Sequence, residues 1–215
     1  GDRNPPATAR ARPFTPPPMP AALDPRWRDV LAELRQKGHL KDHPTLEDDG
    51  TGLRTKADRS LVVSNRPVRN GALRVTWTRG DSSVCSMELR QLRGPDERPL
   101  RDYHAAFGPT AIKVQLHEHT TETFRPLKKW SYPPGFDRNR EHTWEFHASE
   151  DMLSVWLDNV LIGSVQDESI DEPGLSVVVL GQGVVVRELH ALDEDPAPPG
   201  QEQAPRALDA RAPPK

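Results

Sequence analysis

Hydrophobic and polar residues alternate with a period of two along most of the chain. Alternation bounded by Gly, Pro, Asn or Asp is typical of antiparallel strands joined by short turns. No helical periodicity separates these segments, so the pattern excludes parallel crossover connections and predicts an all-β, antiparallel sandwich. The predicted strands cover residues 60–64, 72–78, 84–92, 110–119, 142–148, 153–158, 160–166, 175–180 and 184–192.

One short helix precedes these strands. Apolar residues recur at helical spacing from Trp27 to Leu34. Asp24 and Pro25 suit the N-cap and the first helical position, and Gly38 supplies a left-handed stop. These signals predict a helix over residues 24–38 that packs its apolar stripe, including Trp27, on the sandwich.

The two ends of the chain differ from this patterned region. Most of the 23 prolines lie within residues 1–25 and 193–215, and Pro-rich sequence with little apolar surface forms extended, weakly ordered linkers. We therefore predict a linker over residues 1–23, one domain over 24–193 and a Pro-rich tail over 194–215, with covalent neighbour domains on either side. The Pro-x-x-P spacing also fits a docking site for a partner that reads a polyproline helix.

Charge and cysteine content exclude several classes of protein. A net charge of −3 and a pI near 6.3 argue against a nucleic-acid binder, which concentrates Lys and Arg on one face. No apolar run approaches the roughly 18 residues that a membrane span needs. The single cysteine, Cys85, excludes an intrachain disulfide and a Cys-based zinc site. Its alternating context predicts a small, buried hydrophobic residue.

A family resemblance lies in the last third of the patterned region. Trp-Glu-Phe-His-Ala begins at Trp144, Leu-Ser-Val-Trp-Leu-Asp-Asn-Val-Leu-Ile-Gly at Leu153, Pro-Gly-Leu-Ser-Val at Pro173 and Val-Arg-Glu-Leu-His-Ala-Leu at Val186. These motifs resemble the C-terminal half of a concanavalin A-like jelly roll, closest in pattern to laminin-G-like and bacterial keto-disaccharide hydrolase-like domains. Asn159 stands where that family often has Gly, and Asn also accepts a left-handed turn.

The resemblance implies a jelly-roll β-sandwich and says less about activity, because its motifs are strand and turn features. Members of this superfamily are mostly carbohydrate-recognising or protein-interaction modules, some are glycoside hydrolases, and some are appended domains of multidomain bacterial proteins. It favours a location outside the cytoplasm. It implies no cofactor other than calcium, which many relatives bind. Three aspartates near predicted turns offer oxygen ligands for that ion: Asp158, Asp167 and Asp171.

Two polar features predict a binding surface on the strands. Alternation turns Trp156 outward among polar residues, and an exposed indole is typical of sugar-stacking sites; the alternative is that the helix or a long loop covers it. His117 and His119 share one face of a strand and are able to chelate a metal with His104 or a carboxylate as a third ligand. The alternative there is a polar strand face with uncommitted histidines.

The segment over residues 120–140 is predicted to be a long functional loop. It carries Trp130 and Tyr132 among lysines and arginines, and aromatic residues with cationic neighbours make adaptable recognition surfaces. In the alternative interpretation, these aromatics fasten the loop to the edge of the sandwich.

Together these features predict a non-catalytic module that binds a glycan or a glycosylated partner. The predicted contacts are Trp130, Tyr132, His117, His119 and Trp156. The first alternative is a glycoside hydrolase of the same fold, although the paired glutamates that retaining glucanases place on one strand are not found. The second alternative is a protein-interaction module without a small ligand.

Overall fold

Two antiparallel sheets face each other across one hydrophobic core. The computed structural model describes residues 25–41, 43–64, 66–79 and 85–194, so the Pro-rich ends and Asp24 lie outside the described residues. The elements, in chain order, are β1 (Arg28–Asp29), α1 (Val30–Gln36), β2 (Leu46–Asp48), β3 (Leu53–Thr55), β4 (Arg59–Val62), β5 (Gly71–Thr78), β6 (Cys85–Arg93), β7 (Pro99–Phe107), β8 (Ala111–Glu118), β9 (Thr123–Ser131), β10 (His142–Ser149), β11 (Met152–Leu157), β12 (Val160–Gln166), β13 (Leu175–Leu180) and β14 (Val185–Asp193).

The strand order is that of a jelly-roll sandwich. One sheet has eight strands in the order β12-β11-β10-β5-β14-β3-β2, with β1 also paired to β14. The other has six strands in the order β4-β13-β6-β7-β8-β9. The predicted fold class is confirmed, and each strand predicted from alternation is present with its ends within two residues of the expected ones.

The core is lined by the residues that alternation turns inward. Trp77, Phe107, Trp144 and Phe146 are fully buried between the sheets, and the ring centroids of Phe107 and Trp144 lie 4.2 Å apart. Cys85 is buried as predicted, and burial raises the pKa of its thiol to about 11. The thiol is therefore an inert part of the core.

The helix is shorter than the sequence predicted. It begins at Val30, because Arg28 and Asp29 pair instead with β14 as a short strand. The N-cap is therefore Asp29, whose Oδ1 accepts a hydrogen bond of 2.9 Å from the backbone N–H of Ala32. The predicted stop is confirmed, since Gly38 has a φ of 67°. Within the described residues, no helix is long and apolar enough to cross a membrane.

The predicted loop over residues 120–140 is wrong in its first half. Strand β9 occupies Thr123–Ser131 and forms the edge of the six-stranded sheet. Its alternation was hidden because most of its side chains are exposed and because a bulge interrupts its pairing with β8 after Val114. An edge strand whose two faces both carry polar residues has no clean period of two.

Candidate functional site

A group of ionisable side chains lies on the outer face of the six-stranded sheet. Tyr103 on β7 faces the core, so its neighbours Asp102 and His104 face outward. The register places Glu88 of β6 opposite His104, and Asp102 opposite His117 of β8. Three adjacent strands therefore bring four side chains together, called here the histidine cluster: Glu88, Asp102, His104 and His117.

The cluster is tightly spaced and buried. One potential ligand atom from each of the four side chains lies within 4.8 Å of those of the others. His104 Nδ1 lies 3.5 Å from Glu88 Oε1, and His117 Nδ1 lies 3.7 Å from Asp102 Oδ2. Asp102 is fully buried and Glu88 is 5% exposed. A buried group of two carboxylates and two imidazoles differs from the uncommitted polar face that was the alternative prediction.

Neighbouring side chains fix one oxygen of each carboxylate. Gln91 Nε2 donates a hydrogen bond of 2.6 Å to Glu88 Oε2, and Arg93 Nε donates to Gln91 Oε1 at 3.0 Å, which orients that amide. His119 Nε2 lies 2.5 Å from Asp102 Oδ2. The second oxygen of Glu88, Oε1, faces His104, and the second oxygen of Asp102, Oδ1, has no hydrogen-bond partner.

Burial and mutual charge shift the proton equilibria of the cluster. Burial, followed by repulsion from Glu88, raises the pKa of Asp102 to about 6. Burial, followed by the positive charges of His119 and His104, lowers the pKa of His117 to about 4. Burial is the largest single effect on His119 and opposes its charged form, but the hydrogen bond to Asp102 and the negative charges of Asp102, Glu88 and Glu122 together raise its pKa. At neutral pH the unprotonated form of His117 is therefore favoured, which is the form that binds metals.

An exposed aromatic ring covers one side of the cluster. Phe124 of β9 lies opposite His117 of β8, and the two rings stack with centroids 4.0 Å apart and an interplanar angle of 14°. The ring of His104 meets the same phenyl ring edge-on at 5.3 Å. Phe124 is 44% exposed. The outer face thus combines an open aromatic ring with the buried polar cluster.

Trp130 and Tyr132 lie elsewhere, at the seam between the sheets. The indole of Trp130 packs against Gly163 of β12, the edge strand of the opposite sheet. The hydroxyl of Tyr132 donates a hydrogen bond of 2.7 Å to the carbonyl of Gly108, its ring stacks on Phe136 at 4.1 Å, and burial raises its pKa to about 12. Both rings fasten the segment to the sandwich edge, as the alternative interpretation expected.

Trp156 faces outward on the eight-stranded sheet, but it is not the exposed indole that the alternation predicted. Only 7% of the residue is exposed. It lies between Glu145 and Leu161 on the neighbouring strands, and its ring centroid is 6.4 Å from that of His147. A ring this buried presents little surface for stacking.

The three aspartates considered for calcium do not converge. Asp158 Oδ2 lies 2.7 Å from His142 Nδ1, Asp167 accepts a hydrogen bond of 2.9 Å from Arg125, and Asp171 forms an ion pair with Arg69 at 2.5 Å. In the part of the chain that the structure describes, the residues grouped closely enough to hold a metal ion are those of the histidine cluster.

Of these residues, the sequence pattern pointed to His117, His119 and His104, but not to Glu88 or Asp102. The available signal was the alternation of Tyr103, Ala105 and Phe107 with polar residues, which marks β7. With β7 assigned, Asp102 and His104 would have been placed on one face.

Comparison with known proteins identifies the class of fold. No protein-family model and no curated protein matches the chain, whereas solved structures match over most of it. The carbohydrate binding module CBM66 from Bacillus subtilis has a TM-score of 0.53 and 16% identity, covering 77% of this chain and 94% of that one. A Bacillus subtilis protein of unknown function with a galectin-like fold has a TM-score of 0.53 and 10% identity, covering 74% and 93%.

A prokaryotic β-1,3-1,4-glucanase (lichenase) derived from a mouse hindgut metagenome has a TM-score of 0.50 and 11% identity, covering 69% of this chain and 83% of that one. At these identities the likeness concerns the fold alone. The protein is therefore an all-β sandwich with the concanavalin A-like jelly-roll fold. The narrower resemblance to laminin-G-like and keto-disaccharide hydrolase-like domains stays a prediction.

Proposed function

We propose that this protein is a non-catalytic carbohydrate-binding module whose glycan lies on the outer face of the six-stranded sheet. The observation that carries the proposal is the ring of Phe124, which is 44% exposed on that face. Apolar faces of sugar rings stack on exposed aromatic side chains. The imidazole of His117 stacks on the Phe124 ring, so the ring is held in a fixed orientation for stacking.

Polar groups continue this face along strands β8 and β9. Gln115 lies opposite His104 on one side and Pro126 on the other, and Lys113 lies opposite Lys129. Amide and ammonium groups donate hydrogen bonds to sugar hydroxyls, while Pro126 extends the apolar surface. A strip of this composition, with one aromatic ring and several donors, suits an extended glycan chain.

The carboxylates of the cluster favour binding over hydrolysis. Oxygens of Glu88 and Asp102 lie within 4.8 Å of each other, close to the separation of about 5–5.5 Å between the carboxyl groups of retaining glycosidases. However, they are only 5% and 0% exposed. A glycosidase needs both groups at the surface of an open cleft, where they reach the scissile bond from either side.

The structural neighbours support a sugar as the ligand. One is named a carbohydrate binding module and another a glucanase. Because one neighbour is a glucanase, hydrolysis is the alternative function, and substitution of Glu88 tests it. A module that binds only protein is the third function to distinguish.

Glycan-array binding of the full chain tests the proposal, with Phe124→Ala as the variant and Val160→Ala as the control. Val160 is 61% exposed on the opposite sheet, so its truncation also removes exposed apolar surface. Loss of one stacking ring is expected to weaken binding on the order of tenfold, and the control is expected to bind like wild type.

Three outcomes overturn the proposal. Failure of the wild-type protein to bind any glycan on a broad array leaves the protein-interaction function. Equal binding by the two variants places the sugar on another surface. Release of reducing ends from a bound glycan, abolished by Glu88→Gln, shows that the protein is a hydrolase.

A further inference from the structure

We infer that Glu88, Asp102, His104 and His117 together bind one divalent transition-metal ion, with zinc as the best fit. This inference goes beyond the proposed function and does not depend on it. It rests on the chemistry of the four side chains, on polar atoms that lack hydrogen-bond partners, and on neighbouring residues that orient the ligands.

The ligand set matches the preferences of borderline divalent metals. Two imidazole nitrogens and two carboxylate oxygens are typical of zinc and its neighbours, whereas calcium and magnesium prefer sites made of oxygen alone. In a tetrahedral site with bonds of about 2.0–2.2 Å, neighbouring ligand atoms lie about 3.4 Å apart. The present atoms lie within 4.8 Å of one another, so side-chain movements of about 1 Å suffice to close the site.

Several polar atoms of the cluster are buried and have no hydrogen-bond partner. They are Asp102 Oδ1, His104 Nδ1, and both Nδ1 and Nε2 of His117. Such atoms are ordinarily paired in folded proteins, because each loses its hydration without replacement. All of these atoms are chemically able to coordinate a cation. Their concentration in one cluster is the second, independent sign of a ligand.

The residues around the cluster hold its carboxylates as metal ligands are usually held. Gln91 occupies Glu88 Oε2 at 2.6 Å, and Arg93 in turn fixes the Gln91 amide. His119 occupies Asp102 Oδ2 at 2.5 Å. Outer partners of this kind orient a ligand and leave its other oxygen for the metal. His119, which the sequence suggested as a ligand, is thus a positioning residue.

The charges of the two buried carboxylates also favour a bound cation. Glu88 and Asp102 bring two carboxylates close together in a buried position, where like charges repel strongly. A divalent cation between them removes that repulsion and pairs both charges. The protein-only alternative is a polar contact between His104 Nδ1 and Glu88 Oε1, which lie 3.5 Å apart without a hydrogen bond. That alternative leaves both nitrogens of His117 without partners.

A cobalt and zinc titration of the full chain tests the inference, using untagged protein stripped with EDTA. Cobalt bound by nitrogen and oxygen ligands gives visible absorption bands, and zinc is expected to displace it at one equivalent. His104→Gln is expected to weaken binding by more than about 100-fold, because loss of a ligand exceeds the 10–100-fold effect of losing an outer partner.

His147→Gln is the matched control. It also removes an imidazole beside a buried glutamate, since His147 Nε2 lies 2.7 Å from Glu145 Oε2 on the other sheet. The control is expected to bind metal like wild type. Gln91→Ala is the second variant, outside the ligand set, and is expected to weaken binding about 10-fold or more, so the test survives if His104→Gln fails to fold.

Two results overturn the inference: a wild-type protein that gives no cobalt bands and no heat of zinc binding, or variants of His104 and Gln91 that bind as tightly as the His147 control. Neither result tests glycan binding, because the glycan array is run without added metal and compares the wild-type protein with Phe124→Ala. Failure of one proposal is therefore distinguishable from failure of the other.

Discussion

The seam between the two sheets gives the sharpest test of what Trp130 does. Its indole lies directly against Gly163, where edge strands β9 and β12 meet. A methyl group added at Gly163 would lie 2.6 Å from Trp130 Cε2, closer still to Nε1, and 2.9 Å from Cζ2. These contacts involve three atoms of a rigid ring, so the whole indole must move. Gly163→Ala is therefore predicted to open the seam.

The magnitude follows from two opposing effects. Replacing a strand Gly by Ala ordinarily stabilises a protein by about 0.4–1 kcal/mol, because the unfolded chain loses freedom. Forcing an extra methyl group into a packed site costs about 1–3 kcal/mol. With the clash across three ring atoms, we expect a net loss of about 2 kcal/mol. For a domain of this size, that corresponds to a melting temperature about 4–8 °C lower.

A double-mutant cycle measured by urea unfolding separates this clash from a general effect of Ala. Trp130→Ala alone is expected to cost about 2 kcal/mol, below the 3–5 kcal/mol of a fully buried Trp. In that background the clash is absent, so Gly163→Ala is expected to stabilise the protein by about 0.4–1 kcal/mol, which gives a coupling energy of about 2.5–3 kcal/mol. Val160→Ala, exposed on the same strand, is the control. Equal costs of Gly163→Ala with and without Trp130 would refute the assignment of the indole to the seam.

Two further predictions concern the backbone and the pH dependence. Gly174→Ala is expected to cost about 3 kcal/mol or more, because the new Cβ would lie 2.6 Å from Arg90 Cα and closer to its carbonyl carbon; a loss below about 1 kcal/mol in urea unfolding contradicts this. The Arg35 hydrogen bonds lower the pKa of Asp48 below its usual 3.8. The ion pair therefore stabilises the fold fully above pH 3.8, and this stabilisation is lost as the pH falls through the lowered pKa. The free energy of unfolding of Asp48→Asn is expected to be about 0.5–1 kcal/mol below that of wild type at neutral pH. This difference is expected to disappear in acid and to persist in base.

The sequence was sufficient for most of the fold because one face of each strand is buried. Segments such as β5 and β10 carry large apolar residues at every second position, and these positions face the core. The errors occurred where local signals compete with pairing between distant parts of the chain. Asp24 and Pro25 resemble a helix start, but Arg28 and Asp29 gain backbone partners from β14. Local propensity is a weak prior against such pairing.

The candidate site was less predictable because it depends on register. His117 and His119 were recognised from their spacing within one strand. Glu88, Asp102 and His104 join His117 only because β6, β7 and β8 pair in the observed alignment. A shift of one residue in any pair would send a side chain to the opposite face. That alignment is set by core packing across the whole sandwich, so it cannot be deduced from the sequence of one strand.

The histidine cluster brings four buried polar atoms without a hydrogen-bond partner to one place. Arg90, also buried, donates hydrogen bonds to the carbonyl oxygens of Arg69, Ile170 and Glu150. His117 is buried to a similar degree but has no hydrogen bond at either nitrogen. An unpaired buried polar group costs about 1–3 kcal/mol, and a folded domain has only about 5–15 kcal/mol of net stability. Four such atoms at one place are therefore a large cost for the metal-free protein, and a bound cation would pair three of them, since each imidazole offers one ion a single nitrogen.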